Sequence, residues 1–466
     1  MSVAIRRKPA LGRAASWVPG TVSPGDLSAR RLELSAQAYR LLVIVILAAY
    51  LVLWLAHFRY VYGWLMDDRV VYFKAALARD NPISPFMPSD GRNALHTYFY
   101  LISLLPMKLD IRLPSYALPV FLQNTGHFRF FLLYAVLLHG VLLLAWAWFA
   151  THLTRNRVAA VLSLLWFATS PTLTFWSPQP DSRVLGMPFA LVGMWLLLQA
   201  PPFGNQPTWR VIARFAAAGT LFAVAASIHY TSLYLVLPFC ACYALLGLPM
   251  GWRHLSYWWG LGALVVGLGW LQALYEGISL FVAGKSWAEG PTKYLLTAPD
   301  SHVALYGTGA KLAAWADYLG GDVGALLVLA TVAGWGWYAV EGWRRQGADG
   351  HRRLVVAATV ALGMAYLGLS PSMPFLRQTA VLQPFFFLFA ALALVAVARR
   401  CVASAPAGAL ALGALVLVLG VVPWQESRAV FQAHQGLGRA LEWVARNHGR
   451  HPVVLDVVQS GLLLDG

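Results

Sequence analysis

Long apolar runs separated by short polar or basic segments recur along almost the whole chain. Eleven of these runs are close to the length of a membrane-spanning helix, which is about 20 residues. Only Ser227, His229 and Tyr230 mark the boundary between the fifth and sixth runs. The pattern predicts an all-α polytopic membrane protein of about eleven transmembrane helices, at 40–58, 129–151, 157–175, 184–200, 211–228, 230–248, 257–282, 323–340, 354–370, 379–398 and 406–424.

The segments between and beyond these runs divide the chain into three parts. We expect a basic cytoplasmic segment at 1–38, a transmembrane module at 39–424 and a short extracytoplasmic tail at 425–466. Within the module, the long loops 59–128 and 283–322 should lie outside. The apolar stretch 95–107 is too short to span, so it predicts an interfacial helix in the first outer loop. The tail contains a helix-like stretch, Leu437 to Asn447, and then a β-rich run at 452–458.

Composition excludes the soluble classes of protein. Of 466 residues, 59% are hydrophobic and only 12% are charged, whereas a soluble domain has about 25% charged residues. Such a chain cannot cover a water-facing surface, which excludes a soluble enzyme and a disordered protein. The net charge of +16 needs no nucleic-acid partner, because basic cytoplasmic loops already predict it.

The charge distribution orients the predicted bundle. If the N-terminus is cytoplasmic, each short inner loop is basic, as the positive-inside rule requires. Of the 19 acidic residues, only Asp26, Glu33, Glu341 and Asp349 then lie inside. We therefore expect an N-in, C-out protein of a bacterial inner membrane, with its chemistry facing the periplasm or exterior. The bacterial source rests only on composition rich in Arg, Ala and Leu.

Two outer segments carry candidate acids. Asp67, Asp68 and Arg69 follow the first run, and adjacent carboxylates on a helix do not face each other, so they should have different roles. Asp67 or Asp68 is a candidate general base, although a solvated helix start explains the pair equally simply. Asp181 and Arg183 lie in a short outer loop, where they form either a structural ion pair or a substrate contact.

Basic residues at outer positions are candidate phosphate ligands. Arg183 and Arg377 break the orientation rule at short outer loops. Arg377 begins a very apolar run, and a guanidinium binds phosphate through two parallel hydrogen bonds. The alternative is a side chain that extends to the membrane surface. His229 and Tyr230 mark an outer turn, and Lys293 belongs to the long loop 283–322, a candidate lid or acceptor platform.

Taken together, these features resemble the GT-C superfamily of polytopic glycosyltransferases, in particular the protein O-mannosyltransferases and the lipid A aminoarabinose transferase. The resemblance rests on the order of six short motifs between residues 40 and 400. They are the acidic pair Asp67-Asp68, the aromatic segment Leu95 to Tyr100 with His96 and Tyr98, Arg112-Leu113-Pro114-Ser115, Ala168-Thr169-Ser170-Pro171, Gln179-Pro180-Asp181-Ser182-Arg183, and the run from Arg377 to Pro384. The chain departs from the family where His229-Tyr230 replaces a lysine and where the C-terminal domain is short.

The resemblance implies sugar transfer from a polyprenyl-phosphate-linked donor to a lipid, glycan or protein acceptor, with inversion at the anomeric carbon. Asp67, Asp68 and Asp181 would be the catalytic acids, with one of the first two as the general base. Arg377, Arg183 and His229 would bind the donor phosphate. Arg69, His96, Tyr98, Tyr230 and Lys293 would contact the acceptor or the rest of the substrate. We expect no cofactor, although the three aspartates offer oxygen ligands for a divalent ion.

Two other function classes compete with this hypothesis. The first is a transporter or flippase of lipid-linked oligosaccharide, which should carry titratable groups near the middle of its spans. Here the acids avoid the spans, and only Glu276 comes close, which favours chemistry at the outer surface. The second is a membrane acyltransferase with His139 as its base. It is the weaker alternative, because no carboxylate or Asn lies at a matching depth, and we expect His139 to be a packed, hydrogen-bonded residue.

Overall fold

A computed structural model describes residues 34–57, 125–179, 184–199, 208–283, 313, 315–345, 347–369, 379–401 and 405–448. These residues form helices and no β-strand. The α-helices are α1 (Ala36–His57), α2 (Thr125–Thr154), α3 (Arg157–Ala168), α4 (Pro171–Trp176), α5 (Met187–Leu198), α6 (Thr208–Ile228), α7 (Leu233–Gly251), α8 (Leu255–Ala283), α9 (Ala325–Arg344), α10 (Ala348–Leu369), α11 (Gln383–Cys401) and α12 (Ala405–His448). A 3-10 turn, Tyr230–Ser232, lies between α6 and α7, and a π-helix, Tyr318–Gly324, precedes α9.

Every predicted apolar run is occupied by helix, which confirms the all-α polytopic class. In the part of the chain that the structure describes, seven helices are long and apolar enough to cross a membrane: α1, α2, α6, α7, α8, α9 and part of α12. Three more, α3, α5 and α11, are apolar but shorter. The predicted boundary between the fifth and sixth runs is also present, as the 3-10 turn at Tyr230–Ser232.

The predicted run 157–175 is two helices rather than one. Ser170 has extended backbone, and its hydroxyl accepts the amide hydrogen of Leu173 at 3.2 Å, while Pro171 occupies the first turn of α4. A serine N-cap followed by proline starts a new helix, because proline lacks the N–H that continuing the previous helix would require. Hydropathy alone does not detect this interruption, since Pro171 and its neighbours are apolar or small.

The last helix differs most from the prediction. The expected separate helix at Leu437 to Asn447 is the C-terminal part of α12, which continues without a break through 44 residues and Pro423. At about 1.5 Å per residue this helix is roughly 66 Å long, about twice the thickness of the hydrocarbon core. The predicted β-rich run at 452–458 lies outside the described residues.

One end of the bundle brings together helix termini that carry arginine. Arg157, at the start of α3, donates from Nη1 to the carbonyl oxygen of Leu34 at 3.1 Å. Arg352, near the start of α10, donates from Nε to the carbonyl oxygen of Leu198 at 3.1 Å. We call this the basic end. Its helix termini are those expected on the cytoplasmic side, and the membrane face that they meet stays a prediction.

The opposite end of the bundle joins other termini. Trp54, near the end of α1, packs edge-on against Phe431 of α12, with ring centroids 5.0 Å apart. Thr379, just before α11, donates its hydroxyl hydrogen to the hydroxyl of Tyr318 at 2.8 Å. The loops that carry the predicted site residues leave the described helices at this opposite end.

Between the two ends, aromatic rings and glycines set the packing. Trp146 of α2 contacts Phe385 of α11 edge-on, with centroids 5.1 Å apart, and both side chains are buried. Gly334 of α9 lies directly against the backbone carbonyl of Phe389. Because any side chain at Gly334 would meet that carbonyl, α9 and α11 can pack this closely only through glycine.

Candidate functional site

Most of the predicted site residues lie outside the described residues. They are Asp67, Asp68, Arg69, His96, Tyr98, Asp181, Arg183, Lys293 and Arg377. His229 and Tyr230 are described, between α6 and α7, and Tyr230 begins the 3-10 turn. The catalytic and phosphate-binding roles assigned from the sequence therefore stay predictions, and the structure contributes the framework from which those residues extend.

The residues on both sides of the short loop that carries Asp181 and Arg183 are buried. Gln179 is 0% exposed and Val184 is 1% exposed. The backbone N–H of Gln179 donates to the carbonyl oxygen of Trp176 at 2.8 Å, which extends the α4 turn to the start of the loop, and the side-chain Nε2 of Gln179 donates to the carbonyl oxygen of Phe175 at 2.8 Å. A four-residue connection between two buried anchors restricts where the Asp181 carboxylate and the Arg183 guanidinium can lie.

Two hydroxyl pairs fix the position of α4 against neighbouring helices. The hydroxyl of Tyr50 on α1 donates to the hydroxyl of Ser177 at 2.7 Å. Ser177 in turn donates to the carbonyl oxygen of Leu173 at 2.6 Å. The hydroxyls of Thr174 and Ser427 are 2.5 Å apart, which joins α4 to α12. All four hydroxyl-bearing side chains are buried, so these bonds are shielded from water and are stronger for it.

A second anchor lies two residues beyond Arg377. Thr379 is 0% exposed and bonds to Tyr318, the first residue of the π-helix. That π-helix ends at Gly324, whose φ of +87° is strained for other residues, and Val422 of α12 lies beside it. Irregular π-helical turns are uncommon and are often found at functional sites. The start of α11 is thus tied to the π-helix, whose residues 318–322 form the end of the predicted loop 283–322.

His229 is held in a hydrogen-bonded turn. Its side chain is 8% exposed, and Nδ1 accepts the backbone N–H of Thr231 at 3.2 Å. The Thr231 hydroxyl lies 2.9 Å from the same nitrogen. A ring nitrogen that accepts a backbone N–H carries no proton in neutral imidazole, so this arrangement assigns the proton to Nε2. His229 therefore orders the α6–α7 turn, and its role as a phosphate ligand is untested.

Three polar side chains near this end were not recognised from the sequence. Gln383, at the start of α11, is 0% exposed, and neither of its amide atoms has a hydrogen-bond partner among the described residues. The Gln179 amide oxygen and the Ser232 hydroxyl are also buried without a partner there. Leaving a buried polar group unpaired costs about 1–3 kcal/mol, so such groups call for an explanation. In the sequence, Gln383 is recognisable only as a single amide residue near the start of an otherwise apolar run.

His139 is packed as expected. It is 0% exposed in α2, and its Nδ1 lies 2.7 Å from the carbonyl oxygen of Ala135, one turn earlier. Within the described segments, no cluster of three or more His, Cys, Asp or Glu side chains could hold a metal ion. The three aspartates considered as oxygen ligands lie outside those segments.

No family model matches the sequence, and no curated protein matches it. Among solved structures, the chain is similar to the oligosaccharyltransferase of Archaeoglobus fulgidus in its apo form, with a TM-score of 0.52 and 13% identity over 89% of this chain and 59% of that chain. It is also similar to the oligosaccharyltransferase AglB of the same organism in complex with an inhibitory peptide and a dolichol-phosphate, with a TM-score of 0.51 and 12% identity.

The second match covers 90% of this chain and 58% of AglB. The chain thus spans less than two thirds of the length of these proteins. At this identity the likeness concerns architecture alone, and it extends over nearly all of the chain. The order of the helices and this likeness confirm the expected fold class: the described part of the chain is all-helical and polytopic, with an architecture similar to that of the archaeal oligosaccharyltransferase.

Proposed function

We propose that this protein transfers a sugar from a polyprenyl-phosphate-linked donor to a lipid, glycan or protein acceptor at the opposite end of the bundle. The observation that carries the proposal is the shared fold with an oligosaccharyltransferase over nearly the whole chain. The complex of AglB with a peptide and a dolichol-phosphate motivates both the lipid-linked donor and the range of acceptors. The order of acidic and basic motifs in the sequence agrees with it.

The proposed reaction is a single displacement. The acceptor oxygen or nitrogen attacks the anomeric carbon and forms the new glycosidic bond. The bond from that carbon to the phosphate oxygen breaks, and its electrons leave with the polyprenyl phosphate. Attack from the face opposite the leaving group inverts the anomeric centre. Asp67 or Asp68 takes the proton that the acceptor loses, a task for which the usual aspartate pKa near 3.9 provides a charged but weak base.

The leaving phosphate gains negative charge as the bond breaks, so cations that contact it stabilise the transition state. We assign this role to Arg377, with Arg183 and His229 as further ligands. Asp181 would orient the acceptor or an amino group on the sugar. Arg69, His96, Tyr98, Tyr230 and Lys293 would complete the binding surface. The buried anchors at Gln179 and Thr379 support this assignment, because each fixes the chain two residues from Asp181 or Arg377.

The basic inner loops and the acids of the predicted outer loops support an N-in orientation in a bacterial inner membrane, with the site facing the periplasm. The loops 59–128 and 283–322 and the tail 425–466 would then form the outer surface over the transmembrane module 39–424, and the segment 1–38 would lie inside.

The experiment that tests this function follows radiolabelled sugar in vesicles that contain the purified protein and a polyprenyl-phosphate-sugar pool. Transfer of label to an added acceptor fraction, with release of polyprenyl phosphate, is expected. If lipid-linked sugar instead appears intact in the opposite leaflet and no label reaches an acceptor, the protein is a flippase and the proposal is wrong.

A further inference from the structure

A cavity of about 540 Å³ opens at the basic end. It lies where the α2–α3 turn meets α5, α10 and α11. Its volume is within the range of about 300–1,000 Å³ that is usual for small-ligand sites. Four arginines line it, Arg155, Arg157, Arg352 and Arg399, and the described residues contribute no carboxylate to its wall.

Protein hydrogen bonds hold two of these arginines in place. Arg352 has a side chain only 15% exposed, and its Nε–H donates to Leu198. Arg157 donates one N–H to Leu34. A guanidinium has five N–H donors, so each keeps most of its donors for a ligand after making this bond. The protein thus positions the charges without neutralising them.

One nearby carboxylate falls short of compensating the four cations. Asp349 lies 3.7 Å from the Arg155 guanidinium and 3.9 Å from that of Arg352. Ion pairs as long as these, made to a carboxylate that is 46% exposed, contribute little. Arg399 is exposed and has no hydrogen-bond or ion-pair partner among the described residues. Among the described residues, the cavity therefore carries an excess of positive charge, which favours an anionic ligand.

The turn between α2 and α3 contributes two of the arginines. Arg155 has φ +55°, the only positive value at a residue other than glycine in the described part of the chain. This left-handed conformation costs about 1–2 kcal/mol for an L-amino acid. Asn156 follows and caps α3, because its side-chain oxygen accepts the N–H of Ala159 at 3.1 Å. The cap fixes the tight turn that brings Arg155 and Arg157 to one cavity.

The remaining wall is mixed: Thr151, His152, Asn156 and Gln199 are polar, and the other residues are apolar or aromatic. Trp195 lines the cavity beside Phe149, Leu153 and Leu198. The Trp195 ring packs against that of Trp148, with centroids 5.0 Å apart, which stiffens this wall. A soluble phosphate compound would leave the apolar part of this wall without a partner, whereas a lipid presents its phosphate and its acyl chains to the two kinds of surface together. Tryptophan and arginine are also the residues expected where helices leave the hydrocarbon.

We propose that this cavity binds the phosphate group of an anionic lipid in the leaflet at the basic end. Arginine forks match phosphate oxygens through paired hydrogen bonds, and basic pockets between transmembrane helices bind anionic headgroups. Arg155, Arg157, Arg352 and Arg399 would hold the phosphate, and Trp195 would contact the glycerol and upper acyl region. This site is independent of the sugar-transfer chemistry.

Native mass spectrometry of the full chain in detergent tests the proposal. With equal amounts of dioleoylphosphatidylglycerol and dioleoylphosphatidylcholine added, preferential retention of phosphatidylglycerol is expected. Glycerol 1-phosphate and inorganic phosphate, added in separate arms at the lipid concentration, should not displace it. Displacement by either soluble compound would show that the ligand is a free phosphate, and equal retention of both lipids would show that the cavity does not select an anion.

Variants connect the measurement to the cavity. Arg399→Gln and Arg157→Gln should each weaken phosphatidylglycerol retention about fivefold, as expected for the loss of one basic contact at a membrane surface. Arg253→Gln is the matched control, because Arg253 stacks on Trp252 outside the cavity, with its guanidinium carbon 4.9 Å from the ring. Arg399→Gln has no described hydrogen bond to lose, so its folding should be unaffected. Cavity variants that retain lipid as well as Arg253→Gln would overturn the proposal.

Discussion

The hydroxyl of Tyr50 donates a 2.7 Å hydrogen bond to the hydroxyl of Ser177, across 127 positions of sequence. This bond attaches the first long helix to the residues that lead into the loop of Asp181 and Arg183. Both side chains are buried, and Ser177 also donates to Leu173. The loop of Asp181 and Arg183 is therefore anchored to α1, the helix that precedes the Asp67-Asp68 pair.

Tyr50→Phe tests this anchor. The variant removes one buried hydroxyl and leaves the Ser177–Leu173 bond in place, so the free energy of unfolding should fall by about 1 kcal/mol. Sugar transfer should fall as well, since the loop loses a fixed end. Thermal unfolding in detergent and the transfer assay measure the two effects. An unchanged melting temperature would show that the Tyr50–Ser177 bond does not stabilise the bundle.

Gly334→Leu should disrupt the packing of α9 on α11. A side chain at this position meets the carbonyl of Phe389 and the side chain of Ala393, and overpacking of this kind costs about 1–3 kcal/mol or more. Gly336→Leu is the matched control on the same helix, because nothing lies within 4 Å of a Cβ placed there. Size-exclusion profiles and thermal unfolding of both variants check the prediction, and equal stability of the two would contradict it.

Gln383→Leu should separate stability from activity. Both amide atoms of Gln383 are buried without a described partner, so an apolar side chain of similar size should raise the free energy of unfolding by about 1 kcal/mol. If the amide serves the substrate, sugar transfer should fall at the same time. Thermal unfolding and the transfer assay decide this. A clear loss of stability would show that the amide is satisfied within the protein.

The orientation can be tested with two introduced cysteines in a cysteine-free background. His254→Cys lies at the exposed turn between α7 and α8, on the predicted cytoplasmic side, and Asn447→Cys lies near the end of α12. A membrane-impermeant maleimide should label Asn447→Cys in right-side-out vesicles and His254→Cys in inverted vesicles. The reverse pattern would make the predicted N-in topology wrong.

The sequence predicted the helices well, because membrane spans are set by apolar length. Even the weakly marked boundary at Ser227, His229 and Tyr230 corresponds to a 3-10 turn. The interruption at Ser170 escaped prediction, since its signal is a cap and a proline inside an apolar run. The continuity of α12 from Ala405 to His448 was also not predicted. Hydropathy indicates where a helix leaves the membrane, and it does not indicate where the helix ends.

The sequence predicted less of the site than of the helices, and the roles assigned to the site residues stay predictions. Arg183 and Arg377 were proposed because basic residues at short outer loops depart from the positive-inside pattern, and Asp181 was proposed because it lies in the same short loop as Arg183. The buried amide of Gln383 was missed, because a single amide in an apolar stretch has no periodicity. The arginine cavity depends on contacts between α2, α3, α5, α10 and α11, and such tertiary contacts cannot be read from a linear charge count.

The most direct test of the central claim compares matched Asp→Asn variants in the sugar-transfer assay. Asp67→Asn and Asp68→Asn alter the proposed acids, and Asp349→Asn makes the same change at the basic end, where its ion pairs are weak. We predict that one of the first two loses transfer by about 100-fold or more, as expected for loss of a general base, while Asp349→Asn retains it and all three remain folded. Full activity in both Asp67→Asn and Asp68→Asn would contradict the account.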